Sequence, residues 1–262
     1  MACLGKIDLE KALIFGTFPA LPNDPKRNSQ PESEAGRLPD PDQDRTLEAA
    51  THDICGVLLA DGTFDGDEDR LDLLSGQLEI IAIAALRHGY YHENPIILRV
   101  GGVEHDIAFV GETATVLKFT KPGRAAYAVH FDLGTPTIEP ALPLEYLGRL
   151  ILQNEIFGDN LRFVGISGEA GSRRLVTRQD LVKGKAASWN EIISLMVDQL
   201  GFTKLRHNHG IGYEDSLAFV RDDAVVFDMR PANVFITDEG TVVPVDCIPV
   251  RLPMGKRSFF DR

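Results

Sequence analysis

The sequence predicts a mixed α+β fold with antiparallel strands, and two patterns support this prediction. Short β-like runs separated by glycine-containing turns fill the middle of the chain at 96–100, 106–110 and 114–120. Elsewhere, apolar residues recur at three- and four-residue steps, which is the spacing of one face of a helix. With 262 residues, of which 44% are apolar, the chain can bury one sizeable core or two small ones.

Charge and cysteine content narrow the classes of function. The chain has 27 Lys and Arg against 39 Asp and Glu, and the net charge of −12 repels phosphate backbones, so we expect no nucleic-acid partner. Three scattered cysteines are too few for a disulfide framework and fit a reducing compartment. No apolar run approaches the roughly 18 residues of a membrane span. The N-terminus also lacks signal-peptide order, so we expect a cytoplasmic protein without a membrane partner.

Residues 1–68 form a predicted N-terminal extension. Its segment 19–45 is rich in Pro, Asp, Glu and Ser with almost no large apolar side chain, which predicts a flexible linker. We assign 69–95 to a docking helix, because an apolar stripe along 69–91 is wide enough to bind a partner. The stripe consists of Leu71, Leu74, Leu78, Ile81 and Ala85.

The next segment, 96–180, predicts a five-stranded antiparallel sheet with one helix. The three runs named above precede a helix at 143–157, which has proline in its first turn and glycine after its end. Two further runs, 161–166 and 174–179, flank a turn-rich stretch and form a second hairpin.

A smaller unit is predicted over 181–262. Ser188 and Glu191 form a capping-box pattern that starts a helix ending near Leu200. Four β-like runs follow, at 217–220, 224–227, 234–237 and 241–245.

Most of the chemical information lies in V-V-F-D-M-R-P-A-N-V-F-I-T-D-E-G-T-V-V-P-V-D-C-I, residues 225–248. Asp228 ends a β-like run, Asn233 follows five residues later, and Asp246 comes thirteen after that. A hairpin between Asn233 and Asp246 returns the chain to its start, so the amide and the carboxylate can share a divalent cation that faces Asp228. Mg²⁺ prefers such hard oxygen ligands beside nucleotide phosphates. Alternatively, the segment is only a turn in which Pro231 fixes φ, but the spacing of Asp246 favours the metal site.

This segment resembles the protein-kinase-like superfamily, whose catalytic loop reads D-x-K/R-P-x-N and whose metal-binding Asp follows on a short hairpin. The resemblance implies that Asp228 is the catalytic base and that Arg230 meets the transferring phosphate. It also implies that Asn233 and Asp246 bind the metal.

The resemblance extends to the order of elements along the chain. Lys118, in the strand T-V-L-K-F-T, matches the phosphate-binding lysine of kinases, although a lysine in a strand is usually only solvated. The helix 143–157 should then supply a carboxylate that holds Lys118. Glu145 lies at the more kinase-like distance, whereas Glu155 falls in the last turn, and an exposed helical glutamate is the alternative for both.

The nucleotide-binding positions follow from the same resemblance. The segment 179–184 stands where kinases have the hinge that pairs with adenine, which implicates Gln179 and Leu181. Gly101 and Gly102 stand where the phosphate-covering loop belongs, although the full G-x-G-x-x-G is absent.

A closer resemblance is to the polyvalent-protein kinase domain of bacterial and phage polyproteins. It spans about 96–250 and includes V-L-K-F-T-K-P-G, E-Y-L-G-R-L, N-E-I-F-G-D-N-L-R, V-T-R-Q and F-D-M-R-P-A-N-V. It implies a bilobal fold with an N-lobe at 96–180 and a minimal C-lobe at 181–262. It also implies Mg-ATP-dependent phosphorylation of a protein hydroxyl, on Ser or Thr.

The alternative is a nucleotide-binding pseudokinase that regulates a partner; the short second lobe argues for it, and the retained Lys118, Asp228, Asn233 and Asp246 argue against it. The sequence also departs from the kinase pattern at other positions. Val226 and Phe227 replace the His-Arg pair before the catalytic Asp, and Cys247 with Ile248 replaces Phe-Gly after the metal Asp. Only 16 of the 262 residues follow Asp246, so we expect no ordinary peptide-binding platform.

Three other signals are weaker. The acidic segment 61–72 has oxygen side chains at EF-hand positions, but Glu68 replaces the apolar residue that seals such loops, so we interpret it as a helix-entry loop. His207 and His209 lack a third ligand at metal spacing. Cys247 is interpreted as a small buried hydrophobe.

Overall fold

The computed structural model describes residues 45–61, 69–92, 102–110, 114–132 and 135–252. Within these ranges the chain is a mixed α+β protein with several antiparallel sheets, which confirms the predicted class. The predicted linker, the strand 96–100 and most of the acidic segment 61–72 lie outside the described residues.

Four helices organise the described part of the chain. They are α1, Leu47–Asp61; α2, Arg70–His88; α3, Pro143–Phe157; and α4, Trp189–Ile193, which continues as a π-helical turn over Ser194–Gln199. The predicted bounds of α3 are confirmed, and its C-terminus ends at Gly158 in the left-handed conformation. The predicted capping box of Ser188 and Glu191 starts α4, since each residue's side chain accepts the other's backbone N–H. The sequence analysis did not predict α1.

Fifteen short strands accompany these helices. Up to Asp180 they are β1, Arg45–Thr46; β2, Tyr91–His92; β3, His105–Val110; β4, Thr115–Thr120; β5, Tyr127–Asp132; β6, Thr135–Pro140; β7, Arg162–Ser167; and β8, Arg174–Asp180. After Asp180 they are β9, Gly184–Ala186; β10, Thr203–Lys204; β11, Leu217–Arg221; β12, Ala224–Met229; β13, Val234–Thr237; β14, Val242–Pro244; and β15, Ile248–Arg251.

The largest sheet has the strand order β1-β7-β8-β4-β3, and β2 also pairs with β7. Among the described residues it has six strands: β3, β4, β7 and β8 correspond to four of the predicted five, and β1 and β2 were not predicted. The β2–β7 pair is parallel. The two extra strands are two-residue segments that flank α1 and α2, and such short strands leave little pattern in a sequence.

The strands after Asp180 form two smaller sheets, β10-β11-β12-β15 and β14-β13-β9. The predicted hairpin between Asn233 and Asp246 is confirmed as β13 and β14, with Val234 paired to Pro244. Strand β9 pairs with β13 so closely that a Cβ added at Gly184 would lie 2.0 Å from the carbonyl oxygen of Ile236. Strands β5 and β6 pair only with each other among the described elements.

Two main apolar cores hold these layers together. In the first, α1, α2 and α3 pack together against the six-stranded sheet, so that this sheet carries three helices instead of the predicted one. Four of the five stripe residues of α2 are buried in this core, while Leu71 is 47% exposed. The stripe is therefore mostly covered within the chain. A second core lies between α4 and strands β11, β12 and β13.

Among the residues that the structure describes, no helix combines the length and apolar character needed to cross a bilayer.

Candidate functional site

Lys118 lies in the middle of β4, in the six-stranded sheet, and its side chain contacts a segment near residue 245. Its strand neighbours are Ile107 on β3 and Thr177 on β8. Its Nζ donates a hydrogen bond to the carbonyl oxygen of Val245 at 2.7 Å, across 127 residues of sequence. The bond fixes the predicted phosphate-binding lysine beside the residue that precedes Asp246.

Asp246 follows the β13–β14 hairpin and keeps part of its surface exposed to solvent. Desolvation opposes ionisation of its carboxyl group, but the positive charges of Lys118 and Arg149, together with His105, outweigh it and hold the pKa below its usual range. The carboxylate is therefore ionised at neutral pH, as a metal ligand requires.

Asp228 lies at an irregular point of β12, where the pairing with β11 shifts register. Its φ is 56°, a left-handed conformation that is unusual for a residue with a side chain and is often found at functional sites. Its Oδ1 accepts a hydrogen bond from the Tyr213 backbone N–H at 3.0 Å, and its Oδ2 accepts one from Asn233 Nδ2 at 2.8 Å. Burial nevertheless outweighs these bonds and raises the pKa of Asp228.

Asn233 ends a short 3₁₀ turn, Pro231–Asn233, and is 4% exposed. Its Nδ2 also donates to the backbone carbonyl of Asp228 at 2.9 Å. The backbone carbonyl of Asn233 accepts a hydrogen bond from the backbone N–H of Val245 at 2.8 Å, and this bond closes the hairpin next to Asp246. Because the amide nitrogen is held by Asp228, the Oδ1 atom is the part of this side chain that can serve a metal.

Arg230 adds a positive charge between the two carboxylates. Its guanidinium lies over the ring of Tyr213, 3.8 Å from the centroid, and its Nε is 3.5 Å from Asp228 Oδ1. It also contributes to the lowered pKa of Asp246. Its Nε is buried and makes no hydrogen bond within the described part of the chain, so its contact with Asp228 is an ion pair without a hydrogen bond.

The loop before β11 covers Asp228. Asn208 ties this loop together by donating to the carbonyl of Tyr213 at 2.5 Å and accepting from the N–H of Gly210 at 3.1 Å. Gly212 has φ +81°, and a Cβ there would lie 2.6 Å from Asp228 Oδ1. The close approach therefore needs glycine both for its conformation and for its missing side chain.

A buried polar network on α3 forms the other wall of the site and was not predicted from the sequence. Arg149 binds both oxygens of Glu104, at 2.7 and 2.9 Å. One helical turn earlier, Tyr146 Oη lies 3.0 Å from His105 Nε2 and 3.4 Å from Thr177 Oγ1. Tyr146 and Arg149 lie three residues apart on one face of α3, a spacing that could have identified them as facing the same region.

Glu104, His105 and Asp246 place their ligand atoms within 4.8 Å of one another, a grouping that can hold a metal ion. Burial lowers the pKa of His105 to about 4, so this imidazole is neutral at pH 7, the form that can bind a metal. Arg149, however, already pairs with both oxygens of Glu104. One of the ring nitrogens of His105 is also bonded to Tyr146. Asp246, which is partly exposed, is thus the member of this group best placed to meet a ligand.

Glu145 does not hold Lys118, which corrects the expected pairing. Its carboxylate instead pairs with Arg70 of α2, lies 3.5 Å from His130 Nε2, and accepts the N–H of Leu142 at 2.7 Å as part of the helix cap. It lies in the first turn of α3 and faces α2.

The alternative carboxylate, Glu155, pairs with the exposed Arg251 on β15 and also lies away from Lys118. The acidic neighbours of Lys118 are Asp246 and Asp159. Asp159 follows α3 and accepts a hydrogen bond from Gln153 Nε2 at 2.6 Å. Burial raises the pKa of Asp159 despite this bond and the nearby Lys118. Asp159 is a second site residue that the sequence analysis missed.

The predicted nucleotide-binding positions have mixed outcomes. Gln179 is buried on β8 opposite Val116, and the N–H of Leu181 donates to the carbonyl of Ala114 at 2.8 Å. Both residues therefore lie beside the strand that carries Lys118. Gly102 is an exposed residue just before β3, while Gly101 lies outside the described residues.

Two of the weaker signals have plain structural roles. Cys247 is fully buried, and burial raises the pKa of its thiol, so it is protonated and packs as a small hydrophobe as predicted. His207 and His209 lie in the loop before β11, and burial and the neighbouring His207 lower the pKa of His209.

Comparison of the chain with protein-family models, with curated proteins and with solved structures gave no match.

Proposed function

We propose that this protein is a Mg-ATP-dependent phosphotransferase whose acceptor is a protein hydroxyl, on Ser or Thr. Lys118 and Arg230 bind the phosphates, Asn233 and Asp246 hold Mg²⁺, and Asp228 accepts the proton of the acceptor. In this reaction the acceptor oxygen forms a new bond to the γ-phosphorus, and the bond to the ADP oxygen breaks. The hydroxyl proton goes to Asp228.

One observation carries the proposal. Lys118 lies 127 residues before Val245, yet its Nζ is 2.7 Å from that carbonyl, next to Asp246. Asn233 then joins Asp228 to the same hairpin through hydrogen bonds of 2.8 Å. A cation, two carboxylates and an amide thus converge from distant parts of the sequence. Phosphoryl transfer needs these groups, since its catalysis rests on positioning and charge neutralisation.

The oxygen donors fit Mg²⁺. Asp246 is ionised and partly exposed, and the orientation of Asn233 leaves Oδ1 as its available atom. Mg²⁺ usually keeps several waters and takes only one or two protein ligands beside phosphates, so this set is sufficient. When bound, the ion would neutralise charge on the phosphates.

The surroundings of Asp228 fit a general base. Burial raises its pKa, and a base is most effective when its pKa lies nearer the operating pH. Asn233 and Tyr213 fix the orientation of the carboxylate. These bonds hold Asp228 at one position, which reduces the entropic cost of reaching the reactive geometry.

We further propose that the two parts of the chain act as the lobes of a reduced kinase-like arrangement, 96–180 and 181–262, joined near Leu181. We also propose a cytoplasmic location, where ATP and reduced thiols such as Cys55 and Cys247 are expected.

A second candidate is a nucleotide-binding pseudokinase, and one observation favours it. The loop containing Gly212 and Tyr213 covers Asp228, whose side chain is 11% exposed. If this loop stays closed, nucleotide binds but no acceptor hydroxyl reaches the carboxylate. The helix α2 would then present its exposed Ile83 and Leu86 to a regulated partner.

Thermal unfolding with and without Mg-ATP, followed by γ-labelled ATP, separates the two candidates. Ligand at one hundred times its Kd adds about 2.7 kcal/mol, which raises the midpoint of a chain this long by several degrees. Lys118→Met should lose the shift, whereas Lys204→Met, at an exposed position on β10, should keep it. Transfer of label supports the phosphotransferase, and a shift without transfer supports the pseudokinase. The absence of a shift in the parent protein contradicts both.

A further inference from the structure

Arg149 connects four separate segments of the chain at the edge of the candidate site. Besides its two bonds to Glu104, its Nη1 donates to the carbonyl of Tyr127 at 3.1 Å, and its Nη2 donates to the carbonyl of Cys247 at 3.1 Å. The residue is 7% exposed, so these bonds are shielded from water. The bond to Cys247 holds the main chain directly after Asp246.

We propose that Arg149 is a positioning residue that fixes the main chain after Asp246 and so determines where this carboxylate can meet Mg²⁺. The inference rests on the proposed function. The main chain is held on both sides of Asp246, because Lys118 donates to the carbonyl of the preceding Val245 and Arg149 donates to the carbonyl of the following Cys247. With Lys118 or Arg149 alone, the main chain would be held on one side of Asp246 only.

The shape of the guanidinium is essential to this role. A planar fork can bind both oxygens of Glu104 and still direct an N–H group to Cys247. A lysine ammonium is a compact charge that cannot satisfy Glu104, Tyr127 and Cys247 together. A positioning role therefore requires arginine at this position, whereas a purely electrostatic role would be met by lysine as well.

Stability alone gives a weaker reason for burying this ion pair. Replacing both partners of a buried pair with neutral groups of similar volume is often nearly neutral for stability. The contact with Cys247 adds a bond to a main chain that carries a proposed metal ligand. Groups that orient metal ligands typically change metal affinity by about 10- to 100-fold when they are removed.

The test measures ADP binding by calorimetry with and without Mg²⁺ on the full chain. Arg149→Lys keeps the charge but loses the fork, and the double variant Glu104→Gln with Arg149→Met leaves no unpaired buried charge. Arg251→Lys is the matched control, because Arg251 also pairs with two carboxylates but is exposed. Thermal unfolding without ligand identifies folded variants.

In the parent protein, Mg²⁺ should tighten ADP binding. In both Arg149 variants, the factor by which Mg²⁺ lowers the Kd of ADP should be about 10- to 100-fold smaller than in the parent. The Kd of ADP without Mg²⁺ should change by less than about twofold. The control should behave as the parent does. Equal Mg²⁺ tightening in the parent and the double variant overturns the positioning role alone. An absence of any Mg²⁺ effect in the parent overturns both this inference and the proposed metal site.

Discussion

Asp228 and Asp246 are the same residue type at the same site, yet their surroundings shift their pKa values in opposite directions. Asp228 is buried among backbone and amide donors, and this burial raises its pKa. Asp246 lies near Lys118 and Arg149, and these charges lower its pKa despite desolvation. The negative charge of Asp246 adds to this rise in the pKa of Asp228.

The difference shows how one site can assign two roles to one kind of side chain. A group whose pKa is raised is suited to accepting a proton, whereas a group held as an anion is suited to binding a cation. The two elements that carry the carboxylates differ accordingly. Asp228 itself has a left-handed backbone conformation and lies under a loop. Asp246 lies between two main-chain carbonyls that are bonded by Lys118 of the six-stranded sheet and Arg149 of α3.

The largest effect is expected from Asp228→Asn. Removal of a general base should lower the transfer rate by about 10²- to 10⁴-fold, with nucleotide binding largely unchanged. The initial rate with saturating Mg-ATP measures this. Asp238→Asn, at an exposed position in the β13–β14 turn, is the matched control and should retain the parent rate. A variant as active as the parent would remove Asp228 from the mechanism.

Asp246→Ala should lower activity by about 10²- to 10³-fold, because the metal loses its ionised ligand. Unlike Asp228→Asn, this change should also abolish the Mg²⁺ dependence of nucleotide binding. Titration of activity with Mg²⁺ at fixed ATP checks the difference. If the two variants show the same Mg²⁺ dependence, the assigned division of roles is wrong.

The sequence predicted the parts of this comparison that depend on local patterns. The spacing of Asn233 and Asp246 predicted their hairpin, and a first-turn proline with a glycine after the end predicted α3. Spacing also contained a signal for α1 that was not used, since its buried residues recur at three- and four-residue steps. They are Leu47, Ala50, Ile54 and Leu58.

The remaining parts depend on contacts between distant residues. Glu104 and Arg149 are 45 residues apart, and no local pattern specifies which of many charges will pair. The same limit explains why Glu145 was assigned to Lys118 instead of Arg70. Strand β6, T-P-T-I-E-P, was missed because its prolines weaken the β-like pattern; such residues are tolerated at an edge.

Gly212→Ala tests the closeness of the loop over Asp228. The new Cβ would meet Oδ1 at 2.6 Å and would occupy a backbone conformation with φ +81°. We expect a loss of about 1–3 kcal/mol in the free energy of unfolding, measured by denaturant titration, and reduced transfer activity. The matched change Gly240→Ala has a similar φ of +83° but no atom within 4 Å of the new Cβ. An equal loss for both variants would show that only backbone strain matters.

The smallest effects concern stability and its dependence on pH. Because the pKa of Asp228 is raised on folding, its stabilising contribution is present at low pH and is lost as the pH rises through the folded pKa. The pKa of Asp246 is lowered, so its contribution is present above the unfolded pKa and is lost as the pH falls. At pH 7, Asp228→Asn should therefore raise the unfolding midpoint, and Asp246→Asn should lower it.

Thermal unfolding from pH 3 to 8 measures both variants, and about 1 kcal/mol corresponds to roughly 2–4 °C for a protein near this size. The two differences from the parent should shrink as the pH falls. Shifts of the same sign at pH 7 would contradict the opposite electrostatic environments.

The most direct measurement of the central claim is covalent labelling with an acyl phosphate of ATP, which transfers its acyl group to a lysine held beside the bound phosphates. Mass spectrometry should find Lys118 as the modified residue, with labelling suppressed by excess Mg-ATP and by Asp246→Ala. Labelling spread over exposed lysines, with Lys118 unmodified and no protection by Mg-ATP, would contradict the account.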